Sequence, residues 1–81
     1  MADREAWVRV LDIARVRFGN KARLRVSLID PAVDLAFCAV ALKLTATGSG
    51  ADEVAAAFGH TDVEALNALG VELKARNEAS A

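Results

Sequence analysis

The longest apolar run of the chain reads Leu35-Ala36-Phe37-Cys38-Ala39-Val40-Ala41-Leu42, and as a helix it leaves no polar face for solvent. Asp30 and Pro31 precede it as a helix start signal, because Asp accepts from the amides of a first turn and Pro suits the first helical position. We therefore predict a buried helix from Pro31 to about Ala46 at the centre of the domain. The segment Thr47–Gly50 ends it as a flexible link.

An amphipathic helix is predicted before this run, from Asp3 to Phe18. Gly19 ends it. The apolar residues of this helix recur every three or four positions, and they are Trp7, Val10, Leu11, Ala14 and Phe18.

Two further helices are predicted after the run. Ser49 and Asp52 can cap a short helix that ends at Phe58, and Thr61-Asp62-Val63-Glu64 is a capping box for a last helix. Gly70 interrupts the last helix and marks either a close helix contact or a weak point. One face of this helix is apolar, and it carries Val63, Leu66, Leu69 and Leu73.

Residues 22 to 30 show a different period. Leu24, Val26 and Leu28 alternate with Arg23, Arg25 and Ser27, and this alternation predicts a half-buried strand at residues 23–28. No second strand is visible in the sequence. The strand must therefore pair with the same segment of another subunit, or the segment is a helix, and both alternatives stay open.

The expected fold is thus mainly α, a small four-helix domain with the short strand at residues 23–28 as an alternative for that segment. The 81 residues suffice for one domain, which we place at residues 1–76, with a frayed tail at residues 77–81. The other helices cover the central helix only in part, so we expect a homodimer. Self-association is assigned to Leu24, Val26, Leu28 and Phe37.

Catalysis is the function that the sequence supports least. The one His, the one Cys and the scattered Ser and carboxylate residues do not cluster. We interpret His60 as a turn residue and Cys38 as a packing residue. A zinc site needs about four ligands, so the sequence predicts no metal site, no cofactor and no enzyme activity.

A cytoplasmic location is expected. The lone Cys38 lies in an apolar run, which fits a reducing compartment, and the charged start Met1–Glu5 does not resemble a signal peptide. The apolar run is far shorter than the roughly 20 residues that span a bilayer. A composition rich in Ala and Arg suggests a bacterial or phage genome.

Charge is unevenly distributed, although the formal net charge is only -1. Acidic residues predominate from Ala51 onward, whereas the N-terminal third is basic. This basic third is a candidate surface for nucleic acid or another anionic partner, and its residues are Arg15, Arg17, Lys21, Arg23 and Arg25.

The segment Val54–Thr61, followed by Ala65, resembles the helix-turn-helix pattern, with a small residue four positions before the turn glycine. The second helix departs from that pattern. It begins with Asp62 and Glu64, where a reader of the major groove offers basic or amide side chains. We interpret the segment as an αα-corner that shares the turn geometry.

Residues 23–28 and the helices predicted after Asp30 resemble the order of ribbon-helix-helix repressors. The resemblance implies a strand that pairs across a dimer, with Arg23, Arg25 and Ser27 on the major groove and the alternate residues in the core. The extra helices before and after this segment depart from the family's order.

Two functional hypotheses follow. The first is a non-catalytic interaction module, an adaptor, assembly factor or regulator that acts through contacts with a protein partner of unknown identity. The second is a dimeric DNA-binding regulator of the ribbon-helix-helix type, with the helix-turn-helix type less favoured.

Overall fold

The computed structural model describes residues 4–29, 32 and 36–80, and it contains two helices and three strands. Both helices pack on one face of the sheet, α1 mainly over β1 and α2 over β3 and β2. A 3-10 turn at Gly19–Lys21 joins α1 to β1. The elements are α1 (Arg4–Phe18), β1 (Ala22–Leu28), β2 (Phe37–Leu44), β3 (Ala51–Gly59) and α2 (Asp62–Ser80).

The three strands form an antiparallel sheet in the order β1-β2-β3, with β2 in the centre. Leu24 lies opposite Ala41 in the β1–β2 pair, and Ala41 lies opposite Ala55 in the β2–β3 pair. The β2–β3 register shifts between Ala41 and Leu42, which marks an irregularity of the bulge type. The meander therefore leaves β1 and β3 as the two edges of the sheet.

The prediction of a small, mainly α four-helix domain is wrong, because the fold is α+β. The predicted central helix contains β2 instead, at residues 37–44, and its start signal at Asp30 and Pro31 lies outside the described residues. A central strand with apolar residues on both faces reads as a continuous apolar run, and such a run of eight residues fits a strand as well as a buried helix. The fully apolar pattern came from two apolar faces of a sheet.

The predicted short helix after Ser49 is also wrong, since residues 51–59 form β3. The predicted flexible link is the tight connection of a β-hairpin, in which the Thr45 amide donates to the Gly50 carbonyl at 3.0 Å. Gly48 has φ +73° there, a conformation that favours glycine. Because β3 replaces a helix before Thr61, the αα-corner interpretation of residues 54–61 is wrong as well.

The predicted strand at residues 23–28 is confirmed as β1, but neither alternative for its pairing holds. β1 pairs with β2 of the same chain over its full length, from Ala22 opposite Lys43 to Leu28 opposite Phe37. The order of one strand followed by two helices, on which the ribbon-helix-helix resemblance depends, is therefore wrong.

The two terminal helices follow the predictions closely. Val10 and Ala14 of α1 are buried, and Gly19 ends this helix with φ +58°. At the start of α2, the Thr61 hydroxyl accepts from the Glu64 amide at 3.1 Å, as the capping box predicts. This helix extends to Ser80.

The core is a layer of large α2 side chains on a floor of small sheet residues. Leu66 and Leu69 are fully buried, and Leu73 is nearly so. Beneath the helices, the sheet presents alanine at its central positions, including Ala39 and Ala41, which are also fully buried. Alanine is a poor strand former in isolation, but here it lets a helix that carries leucines approach the sheet closely.

Two glycines lie where elements of the core approach each other closely. A Cβ added at Gly70 of α2 would lie 3.1 Å from the Val10 side chain of α1, so the predicted close helix contact is present. A Cβ added at Gly59, the last residue of β3, would lie 2.8 Å from the Glu64 carbonyl carbon and would overlap the Ala65 backbone. The start of α2 can pack against β3 only because residue 59 has no side chain.

We predict that Gly59→Ala lowers the free energy of unfolding by about 1–3 kcal/mol, because the added carbon overlaps backbone atoms that cannot rotate away. Gly50→Ala is the matched control. Its added Cβ meets only a Thr45 methyl group at 3.9 Å, so we expect a change within about 0.5 kcal/mol. Urea unfolding followed by circular dichroism measures both, and equal losses in the two variants would contradict this packing.

A second pair of variants tests which face of the sheet the helices cover. Ala41→Leu forces extra volume beneath α2 and should cost about 1–3 kcal/mol of stability. Ala56→Leu makes the same change on β3 at an exposed position and should change stability by less than about 0.5 kcal/mol. If Ala56→Leu lost more stability than Ala41→Leu in urea unfolding, the helices would cover the other face.

Candidate protein interface on the open face of the sheet

The face of the sheet turned away from the helices is identified by strand alternation. Ala39 and Ala41 belong to the core under the helices, so Cys38, Val40 and Leu42 of the same strand lie on the opposite face. Val40 is only 4% exposed and yet is not part of the helix-covered core. Its neighbours on this face are Cys38 and Leu42 along β2 and Ala56 across the β2–β3 pair.

These neighbours form a continuous apolar surface, which we call the open-face patch. Phe58 lies beside Cys38 and is 52% exposed. Ile29 is 55% exposed, and its amide donates to the Ala36 carbonyl at 2.6 Å, which extends the β1–β2 pairing by one step. The open-face patch comprises Ile29, Ala36, Cys38, Val40, Leu42, Ala56 and Phe58.

An apolar open face is unusual for a sheet of this kind. Antiparallel sheets with one covered face normally place polar residues on the solvated face. Here the central strand carries apolar residues at both alternations, and only β1 has the expected polar alternation, with Arg23, Arg25 and Ser27. The open-face patch is therefore a candidate binding surface.

An ion pair crosses the open-face patch. Arg25 of β1 donates to Glu53 of β3 at 3.1 Å, and the two side chains are 56% and 64% exposed. The outer strands of a three-stranded sheet are about 10 Å apart, so this pair passes over β2. An exposed pair of this kind contributes about 0–1 kcal/mol to stability. Its larger effect is to give the face a basic side at β1 and an acidic side at β3.

The basic residues predicted as one surface are distributed over different parts of the molecule. Arg15 and Arg23 line one groove between α1 and β1, together with Trp7. The Arg17 guanidinium lies 5.7 Å from the centre of the Phe18 ring, near the end of α1. Lys21 is exposed in the 3-10 turn, and Arg25 lies on the open face.

Arg23 is further restrained by its own backbone. Its guanidinium donates to the carbonyls of Asn20 and Ala22, each at 2.7 Å. Of the five predicted basic residues, only Arg25 thus has its guanidinium over the open-face patch.

The residues predicted for self-association lie mostly on the covered face. Leu24, Val26 and Phe37 are partly buried and pack against the core beneath the helices. Leu28 is 54% exposed at the end of β1. The sequence interpretation missed Phe58, Val40, Leu42, Ile29 and Glu53. For Val40 and Leu42 the signal was the second apolar alternation within residues 35–42, which a helical interpretation concealed. Phe58, Ile29 and Glu53 reach this face only through the strand pairing.

The residues with catalytic or metal-binding chemistry are dispersed. His60 lies in the turn before α2, with its Nε2 at 3.9 Å from a Glu64 carboxylate oxygen. Cys38 is half-buried on the open face. Over residues 4–29, 32 and 36–80, no three His, Cys, Asp or Glu side chains are grouped to hold a metal ion. Within the same described ranges, no polar or charged residue is buried.

Comparison of this chain with protein families, with curated proteins and with solved structures found no match. Neither helix in the described part of the chain combines the length and the apolar character that a membrane crossing requires.

Proposed function

We propose that this protein is a non-catalytic interaction module that binds another protein surface through the open-face patch. The single observation that supports the proposal is the exposure of Phe58 and Ile29 on the face against which neither helix of the described residues 4–29, 32 and 36–80 packs. Such a module acts as an adaptor, assembly factor or regulator, and its lone Cys38, which has no second cysteine in the chain to pair with, fits a cytoplasmic setting.

The physical basis is the cost of leaving these side chains in water. Burial of apolar surface contributes about 25 cal/mol per Å², so an aromatic ring and a β-branched side chain on one flat face favour contact with another surface. The shape supports a protein partner, because a three-stranded sheet offers a broad, flat area. Small-molecule sites are generally concave.

DNA binding is not our proposal. Its main structural support was a strand pairing across a dimer and followed by two helices, and that order is wrong for this chain. The helix that follows β3 begins with Asp62 and Glu64, whose charges repel phosphate.

Photo-crosslinking in the producing cell tests the proposed interaction. We predict that a photo-reactive benzoyl-phenylalanine at position 58 gives abundant protein crosslinks, because Phe58 is an exposed ring within the proposed contact surface. The same group at position 16 is the control, since Val16 of α1 is 79% exposed and lies on a helix away from the open face. Denaturing gels followed by mass spectrometry identify the products.

Equal crosslinking at positions 58 and 16 would contradict the proposal. Both variants must show the wild-type circular dichroism spectrum and melting temperature. A difference in crosslinking then reflects which surface binds the partner and does not result from unfolding.

A further inference from the structure

We propose that the occupant of the open-face patch is a second copy of this chain, stacked face to face about a two-fold axis parallel to β2. This inference rests on the proposed function, because it uses the same face, and it specifies the partner. It is argued from the distribution of charge across the face and from the apolar residues along its central strand.

The charge pattern is complementary to itself about this axis. A two-fold rotation parallel to β2 places β1 of one copy over β3 of the other. The basic side with Arg25 then lies over the acidic side with Glu53, and the two Arg25–Glu53 pairs stack in opposite directions. The interface then contains four charges of alternating sign. Each favourable contact occurs twice, as an isologous interface requires.

Other arrangements of two copies bring like charges together. A two-fold axis in the interface plane and perpendicular to the strands places β1 over β1, so Arg25 faces the basic side of the second copy, where its own counterpart lies. Edge-to-edge pairing of two β1 strands also brings these arginines alongside one another, which is unfavourable between neighbouring strands. The charges thus select the stacked arrangement with the axis along β2.

The apolar residues fit the same arrangement. β2 of one copy lies over β2 of the other, which buries the partly exposed Leu42 against its counterpart. The rotation keeps each residue at the same height along the strands. Because Phe58, Cys38 and Ser27 share one row of the sheet, Phe58 of one copy lies opposite Ser27 and Cys38 of the other. The large exposed ring then packs beside small side chains, in the manner of two sheets that pack face to face.

The size of the face sets the strength of the dimer. Three strands about 4.8 Å apart and about 25 Å long give a face of about 350 Å² in projection for each copy. That is less than half of the roughly 800 Å² that each partner buries in a stable interface, and it is typical of weak, transient contacts. The dimer should therefore be reversible, and its population should rise with concentration from about 5 µM to about 500 µM.

Analytical ultracentrifugation of purified charge variants tests this dimer. Arg25→Glu makes the pair across the face wholly acidic, and Glu53→Arg makes it wholly basic. Each variant alone should dissociate at least about tenfold more readily than the wild type, because like charges now face one another across the interface. An equimolar mixture of the two variants should recover a 1:1 dimer, since opposite charges then meet.

Matched charge reversals away from the face are the controls. Arg15 and Glu78 are exposed on the helices, so Arg15→Glu and Glu78→Arg should dimerise like the wild type. Phe58→Glu gives an independent arm, because it should abolish the dimer without any change to the ion pair. Thermal melting by circular dichroism verifies that each variant is folded.

Three results would overturn the dimer: a wild type that stays monomeric over the whole concentration range, an Arg25→Glu variant that dimerises like the wild type, or a mixture that stays monomeric. The proposed function is tested separately. If the purified wild type is monomeric while position 58 still crosslinks to a different protein in cells, the partner is heterologous and only the dimer fails. If positions 58 and 16 crosslink equally, the interface itself fails.

Discussion

The packing of α2 leucines onto an alanine floor is the contact on which the rest of the structure depends. Leu66 and Leu69 of α2 and Ala39 and Ala41 of β2 are all fully buried. Small residues beneath and large residues above let helix and sheet approach closely, so the helix side of the sheet accounts for the core of the chain. In the described part of the chain both helices are used on this one side. The opposite face of the central strand, which is equally apolar, therefore has no cover from either helix.

The terminal elements could be predicted because their signals are local. The period of the α1 apolar stripe, the capping box at Thr61 and the alternation in residues 23–28 each depend only on neighbouring residues. The middle of the chain could not be predicted in this way. Residues 37–42 are apolar on both alternations and residues 51–59 are rich in alanine, so the pattern is compatible with helix in both segments. Their strand conformation results from pairing with β1 and from the contact with α2, and that pairing is not visible in either segment alone.

The candidate site was concealed by the same ambiguity. If residues 35–42 formed a helix, its whole surface would have to be buried by other protein residues. The expectation of a partner came from that requirement. As a strand, the segment divides into a covered face, with Ala39 and Ala41, and an open face, with Cys38, Val40 and Leu42. The expectation of a partner thus remains a proposal, but it moves to a different surface. Glu53 could be placed opposite Arg25 only once the strand order was known, because 28 residues separate them in sequence.

The reactivity of the single thiol tests most directly whether this face is open and binds. Cys38 is the chain's only cysteine and shares a row of the sheet with Ser27 and Phe58 on the open face. We predict that a small alkylating reagent modifies Cys38 in the dilute native protein. Low concentrations of urea should not change the rate of this modification. The rate should fall as protein concentration rises and a second copy covers the face. Modification that occurs only on unfolding would contradict an open face, and a rate independent of protein concentration would contradict its occupation by a second copy.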